Sequence, residues 1–255
     1  MPQKGLKVFR MALVHEFENS GNWLFKRRSW LPVVLVVTGL FVMYFGNRQA
    51  ILFHLRDEII FLGVSLFGEA IRILTAGYAP RNTSGRNTVT GQIADKLNVT
   101  GLYSVVRHPL YLGNFFMWLG PVLFLRSLLF IVFFILIYWL YYERIMFAEE
   151  QFLRRKFGDT YDKWSETVRA IIPGFRSYIP PGLSFSVRSV LKREHNSFVN
   201  IFVIFTVLDL FRNYFLSGKI YLTPMWIYLS VPAGIIWLIL WTLNKSTRWL
   251  EVEGR

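Results

Sequence analysis

Long apolar runs alternate with polar, basic stretches along this 255-residue chain. The first run is WLPVVLVVTGLFVMYFG at 30–46 and the second EIIFLGVSLFGEAIRILTA at 58–76. Each approaches the ~20 residues with which a helix crosses the hydrocarbon core of a bilayer. Residues 110–142 are almost wholly apolar, with breaks at Pro121 and Arg126. That stretch is too long for one ordinary span. It predicts two short helices folded as a hairpin, with its tip near Leu125–Ser127. Two further runs come later, at about 198–216 and 222–243. The pattern predicts an all-α, polytopic transmembrane helical bundle of about six membrane segments.

Between the runs lie a polar N-terminal segment (1–29), a Gly/Thr/Asn-rich loop (77–109), a longer polar region (143–197) and a short tail (244–255). The region 143–197 opens with an amphipathic helix and is broken at Pro173-Gly174 and Pro180-Pro181-Gly182. Composition agrees with a membrane protein: 53% of residues are hydrophobic, with 24 Phe and 9 Trp. The formal charge of +13 would suggest nucleic acid in a soluble protein. Here its distribution gives a simpler reading. With the N-terminus in the cytoplasm and the spans alternating, the four polar stretches on that side hold 6, 4, 10 and 3 of the 29 Lys and Arg. That is the asymmetry expected of cytoplasmic loops. It also places both long polar regions on one face, where they can build a common site. No cysteine is present, which excludes disulfides, thiolate metal sites and cysteine nucleophiles. The apolar run at Trp30 comes after a long polar stretch without a small-residue cleavage site, so it is expected to be a retained helix.

Three clusters could carry chemistry. Arg107-His108-Pro109 stands at the start of the third run. It reads as a basic flank with a helix-starting proline, or as an anion site where free N–H groups and the positive helix end join a guanidinium. Glu143, Glu150 and Arg154 share a helix face, and Glu149 stands beside Glu150. This helix reads as a solvated, salt-bridged surface, or as a wall in which one acid faces a pocket while the other pairs with an arginine. The loop Arg81-Asn82-Thr83-Ser84-Gly85-Arg86-Asn87 could cradle a phosphate or be mobile. Glu69 and Arg72, three apart inside a span, are either functional intramembrane charges or a pair with each other. His15, His54 and His195 show no metal-ligand spacing, and the Asn98 sequon falls on the cytoplasmic side.

Gly101, Tyr103, Arg107, His108, Pro109, Tyr111 and Gly113, and after them Glu143, Glu149, Glu150, Leu153, Phe157, Gly158 and Tyr161, form an ordered set. It resembles the pattern of the isoprenylcysteine carboxyl methyltransferase and phospholipid methyltransferase family, G-x-Y-x-x-x-R-H-P-x-Y-x-G and E-x-x-x-x-x-E-E-x-x-L-x-x-x-F-G-x-x-Y. The resemblance covers about residues 100–175; the last two spans lie outside it. It implies an integral-membrane enzyme that uses S-adenosylmethionine, held between the R-H-P hairpin and the E-E helix and closed in by the next cytoplasmic segment. Tyr103, Arg107, His108, Pro109, Tyr111, Glu150 and Phe157 are then the expected cofactor residues. Arg107, His108 and the N–H groups after Pro109 suit its carboxylate, Glu150 or Glu149 its ammonium, and Tyr103, Tyr111 and Phe157 its adenine or sulfonium.

The implied reaction is in-line methyl transfer, with no call for a metal. Glu149 is the expected base for an amine acceptor and Arg169 the expected cation steering the acceptor, while Arg81, Ser84, Arg86 and Asn87 are the expected acceptor-binding residues. The expected partner is a membrane lipid or lipidated acceptor rather than nucleic acid. That loop favours a phosphate-bearing lipid, and the resemblance, whose bacterial members include enzymes acting on lipid phosphates, implies a bacterial inner membrane and a lipid phosphate such as that of lipid A; a carboxylate acceptor is the alternative. Two rival readings are a reductase of the sterol and steroid type binding NADPH, and a non-catalytic scaffold or transporter subunit. The adjacent Glu149-Glu150 and Pro109 favour methyl transfer over the first, and the plain apolar spans weigh against the second.

Overall fold

A computed structural model describes residues 4–46, 54–80, 83, 86–88 and 91–255. Eight α-helices dominate them: α1 (Lys4–Lys26), α2 (Trp30–Phe45), α3 (Leu55–Tyr78), α4 (Pro109–Phe124), α5 (Leu128–Phe157), α6 (Asp159–Thr167), α7 (Val187–Ser217) and α8 (Pro224–Ser246). One small antiparallel hairpin, β1 (Arg86–Thr88) with β2 (Gly91–Ile93), interrupts the helical pattern between α3 and α4. By length and composition α3, α5, α7 and α8 can each cross a membrane; α4 is shorter, and the end of α1 meets α2 at a 74° bend. The protein is an integral, multi-pass membrane helical bundle. Its outer surface is a belt of exposed apolar side chains, including Val33, Val37 and Phe41 of α2, Leu129, Phe133 and Leu136 of α5, and Val231, Ile235 and Leu238 of α8.

The hairpin tip forms where the sequence breaks. Arg126 takes a left-handed φ of 48°, and Ser127 caps α5 by accepting from the Phe130 N–H at 3.3 Å. The course of α5 beyond this tip differs from the sequence-based expectation. The helix does not stop at the membrane edge near Tyr142 but runs on to Phe157, so the span and the acid-bearing helix are one rod. Between Tyr142 and Phe157 there is no glycine or proline to interrupt it. Gly158, at φ 53°, ends it and turns the chain into α6. α7 likewise begins at Val187, N-capped by Ser186, well before its apolar part. The basic N-terminal segment is also helical, and α1 packs along α5: the Tyr141 hydroxyl donates to Leu24 O at 2.9 Å and Arg155 pairs with Glu18.

Small residues let α3 and α4 approach closely, which membrane helices exploit because apolar burial adds little between helices in lipid. Gly68 lies directly against the backbone of Gly113 and Met117, and the Ser65 hydroxyl donates to Met117 O at 2.8 Å. At the end of the bundle near Ser127, a buried ionic cluster joins α3, α7 and the start of α8. Arg212 donates to Glu58 at 2.8 Å, to Asp209 and to Thr223. Asp209 also accepts from the Thr223 N–H at 2.7 Å. The candidate site lies at the opposite end, where α3, α5 and α7 carry their polar extensions.

Candidate active site

The chain entering α4 is clasped by the segment after α6. Gly101 turns at φ 61°, and its N–H donates to Ile179 O at 2.8 Å. The Arg107 N–H donates to Arg169 O at 2.9 Å, and the Gly174 N–H to Val105 O at 2.9 Å. Trp164 Nε1 reaches Tyr103 O at 3.2 Å. These bonds hold Arg107 and His108 at the mouth of α4, whose first residue is Pro109, with fixed φ and no N–H to leave unpaired.

Across from α4 stands the extended part of α5. His108 Nε2 lies 2.9 Å from Glu150 Oε1, and its Nδ1 lies 3.7 Å from Glu149 Oε2. Arg107 Nε pairs with the same Glu150 oxygen at 3.1 Å, while its Nη1 donates to Ser165 O at 3.0 Å. The Tyr111 hydroxyl donates to Glu149 at 3.0 Å, and the His108 and Tyr111 rings stack with centroids 5.6 Å apart. Tyr111 is braced in turn by Tyr138, whose hydroxyl donates to its carbonyl at 2.7 Å. Both acids thus face the same space and share His108, while Arg107 pairs with Glu150 and Tyr111 with Glu149. Burial pushes the Tyr161 phenol well above the usual tyrosine range, and the Glu150 carboxylate adds to that shift. Burial acts on Tyr103 in the same direction, reinforced by Glu149. Both phenols are held neutral and serve as flat walls of the cavity.

These residues enclose a cavity of about 290 Å³. Of the residues expected from sequence, Tyr103, Arg107, His108, Pro109, Tyr111, Glu149 and Glu150 line it together. Phe157 does not; it packs beside Ala94, Leu153 and Tyr161 in a small cluster at the cavity's edge. Arg169 contributes its carbonyl to the clasp, but its side chain is exposed and is not part of the cavity wall. Arg81 and Ser84 lie outside the described residues, and of Arg86 and Asn87 only the backbone is described, in β1. The loop that carries them returns at Ala94, which is buried against Leu153 and Tyr161.

The cavity also takes in Arg28, Asn114, Tyr142 and Trp164, which sequence reasoning missed, and Leu153 and Tyr161, which it matched to the motif without a site role. Arg72, noted only as an intramembrane charge, lines it as well. Its main partner is not Glu69, 3.9 Å away, but Glu194 of α7, which it meets with two N–H groups at 2.9 and 2.6 Å. Asn114 accepts from Arg72 at 2.5 Å and Ser197 at 3.1 Å. The intramembrane charge was the signal that could have found Arg72.

The family model of phospholipid methyltransferases matches residues 59–160, from α3 to the first residues of α6. A probable protein-S-isoprenylcysteine O-methyltransferase of Oryza sativa subsp. japonica is 30% identical over 161 residues, covering 58% of this chain and 83% of that protein. The chain belongs to this methyltransferase family. The protein-S-isoprenylcysteine O-methyltransferase of Schizosaccharomyces pombe is 38% identical over 81 residues, 31% of this chain and 34% of its own. That of Tribolium castaneum is 31% identical over 121 residues, 46% of this chain and 42% of its own. No solved structure matches. The protein is therefore an integral-membrane methyltransferase, and the matched segment carries α4 and α5, which supply the cavity's Arg-His-Pro and Glu-Glu walls. The enzyme's α1, α2, α7 and α8 fall outside the matched segment, yet Arg28 and the Arg72–Glu194 pair tie three of these flanking parts to the cavity.

Proposed function

We propose that the enzyme transfers a methyl group from S-adenosylmethionine to an anionic oxygen of a membrane lipid or lipidated acceptor. The observation that carries this reading is the pairing of Arg107 and His108 with Glu149 and Glu150 around one cavity. A wall presenting both signs side by side complements a zwitterionic amino acid end. Arg107 and the first N–H groups of α4 suit its carboxylate, and Glu150 or Glu149 its ammonium. Tyr103, Tyr161 and Trp164 supply flat apolar faces for a purine, and Tyr111 a face for a sulfonium. When bound, S-adenosylmethionine supplies an electrophilic methyl group on a leaving group that departs neutral.

The chain's own residues then have limited tasks. Arg107, His108 and Glu150 fix one another, so a ligand meets a preset charge pattern. Tyr111, braced by Tyr138, holds Glu149 in place. Trp164 and Tyr161 close the far wall against water. An acceptor that is already a carboxylate or phosphate needs no base. For an amine acceptor Glu149 is the group placed to take the proton.

The relatives' names point to a prenylated cysteine, and the family model to a phospholipid; both are lipid-borne. The basic ends of the helices support a cavity on the cytoplasmic side, and a bacterial inner membrane is the setting we propose. The test is incubation of the purified enzyme with methyl-labelled S-adenosylmethionine and membrane lipid extract, then mass spectrometry of labelled lipid. Labelled lipid ester lost in His108→Ala and Glu150→Ala is the expected outcome. Full transfer by both variants would remove these residues from the site.

A further inference from the structure

The cavity's basic side chains are not equally engaged. Arg107 is neutralised by Glu150, His108 lies between Glu149 and Glu150, and Arg72 is held by Glu194 and Asn114. Arg28 differs. It lines the same cavity, yet among the described residues no carboxylate lies within ion-pair distance of it. Its guanidinium instead rests over the ring of Phe25, 4.1 Å from the centroid. A stacked guanidinium keeps its in-plane donors available for a bidentate anion. Its charge acts on Glu149, Tyr111 and Tyr142, whereas that of Arg107 acts on Glu150 and Tyr161.

Position gives a second, independent indication. Arg28 stands in the turn between α1 and α2, where the chain bends by 74° from a polar helix into an apolar one. Trp23 and Trp30, both largely exposed, flank that turn. Exposed tryptophans at the start of an apolar helix mark the headgroup level of a bilayer. A cavity wall at that level meets the polar end of a lipid while its chains remain in the membrane.

We propose that Arg28 is the subsite for the anionic group of the methyl acceptor, a lipid-borne carboxylate or phosphate. This rests on the methyltransferase reading above. The acceptor oxygen forms the new C–O bond as the methyl–sulfur bond breaks, with the electron pair leaving on sulfur. The acceptor thereby loses one negative charge and no proton has to move. Arg28 consequently holds the acceptor more tightly than the methylated product, which favours release.

The test compares the full-length enzyme with Arg28→Ala, Arg28→Lys and Arg28→Glu in detergent micelles. Two acceptor probes separate the sources of the anion: a farnesylated cysteine derivative with a free carboxylate, and phosphatidic acid. Equilibrium binding of each probe, KM, kcat and S-adenosylmethionine affinity are measured. For the probe that is methylated, Arg28→Ala is expected to weaken binding and raise KM by about 10- to 100-fold. Arg28→Lys should recover part of that loss and Arg28→Glu lose more. S-adenosylmethionine should still bind, with an affinity that changes far less than the acceptor's, which also reports that the variants are folded. Unaltered acceptor KM and binding in Arg28→Ala would overturn the subsite alone, as would a loss confined to S-adenosylmethionine. If the wild type methylates neither probe nor any lipid in membrane extract, the acceptor reading itself fails, and the subsite with it.

Discussion

At position 150 one carboxylate oxygen meets both Arg107 and His108, so removing it leaves the guanidinium and the imidazole without their shared acceptor. Glu150→Ala is therefore expected to cost more than Glu149→Ala in binding of the methyl donor, because Glu149 has a neutral donor, Tyr111, as its closest partner. The asymmetry is readable by titration calorimetry of both variants; equal losses would contradict it. Tyr161 offers a test by pH. Its phenol is raised, so it stays protonated where exposed tyrosines ionise, near pH ~10. Wild type and Tyr161→Phe should then show the same phenolate absorbance change through that range. One phenolate fewer in the variant would place Tyr161 in ordinary surroundings. The same shift has a sign for stability. Below the unfolded phenol's pKa neither state carries the charge. Above it the unfolded chain ionises first, and stability falls as pH rises.

At the scale of elements, the α3–α4 contact depends on glycine. A side chain at Gly68 would run into the backbone of Gly113 and Met117. Gly68→Leu is expected to lower thermal stability in detergent by about 1–3 kcal/mol or more. Gly63→Ala, at an open position on the same helix, should not lower it. Much of this level was legible in the chain. The hairpin tip at Leu125–Ser127 was marked by Arg126 and Ser127 breaking an apolar run, and Pro109 marked the start of α4. The continuity of α5 was not legible, because polarity changes near Tyr142 while helix formation does not; hydropathy reports the surroundings, not the backbone. The core of the site was legible because Arg107–Tyr111 and Glu149–Glu150 are compact in sequence. Arg28 and Glu194 were hidden for the opposite reason. Arg28 reaches the cavity only through the bend before α2, and Glu194 reaches Arg72 only through the early start of α7, which no local pattern encodes.

For the whole molecule, the cavity and the Arg212 cluster occupy opposite ends of the bundle. Arg212→Ala strands Glu58 and Asp209 in a buried setting, so a loss of about 3–5 kcal/mol is expected. Thermal unfolding in detergent measures it, and a variant as stable as the wild type would make the cluster incidental. Because the chain has no cysteine, sidedness can be mapped with single introduced thiols. Lys219→Cys, in the link before α8, and Lys245→Cys, in its last turn, lie on either side of the span, both exposed. An impermeant maleimide added to sealed inside-out vesicles should label the second and not the first; the reverse would put the cavity on the outer face. The central claim, that the Arg107–His108–Glu149–Glu150 cavity holds the methyl donor, is tested most directly by calorimetric titration of S-adenosylmethionine into the purified enzyme. One saturable site, weakened about 10- to 100-fold in both Glu150→Gln and His108→Ala, is the expected result. No binding by the wild type, or undiminished binding by both variants, would contradict it.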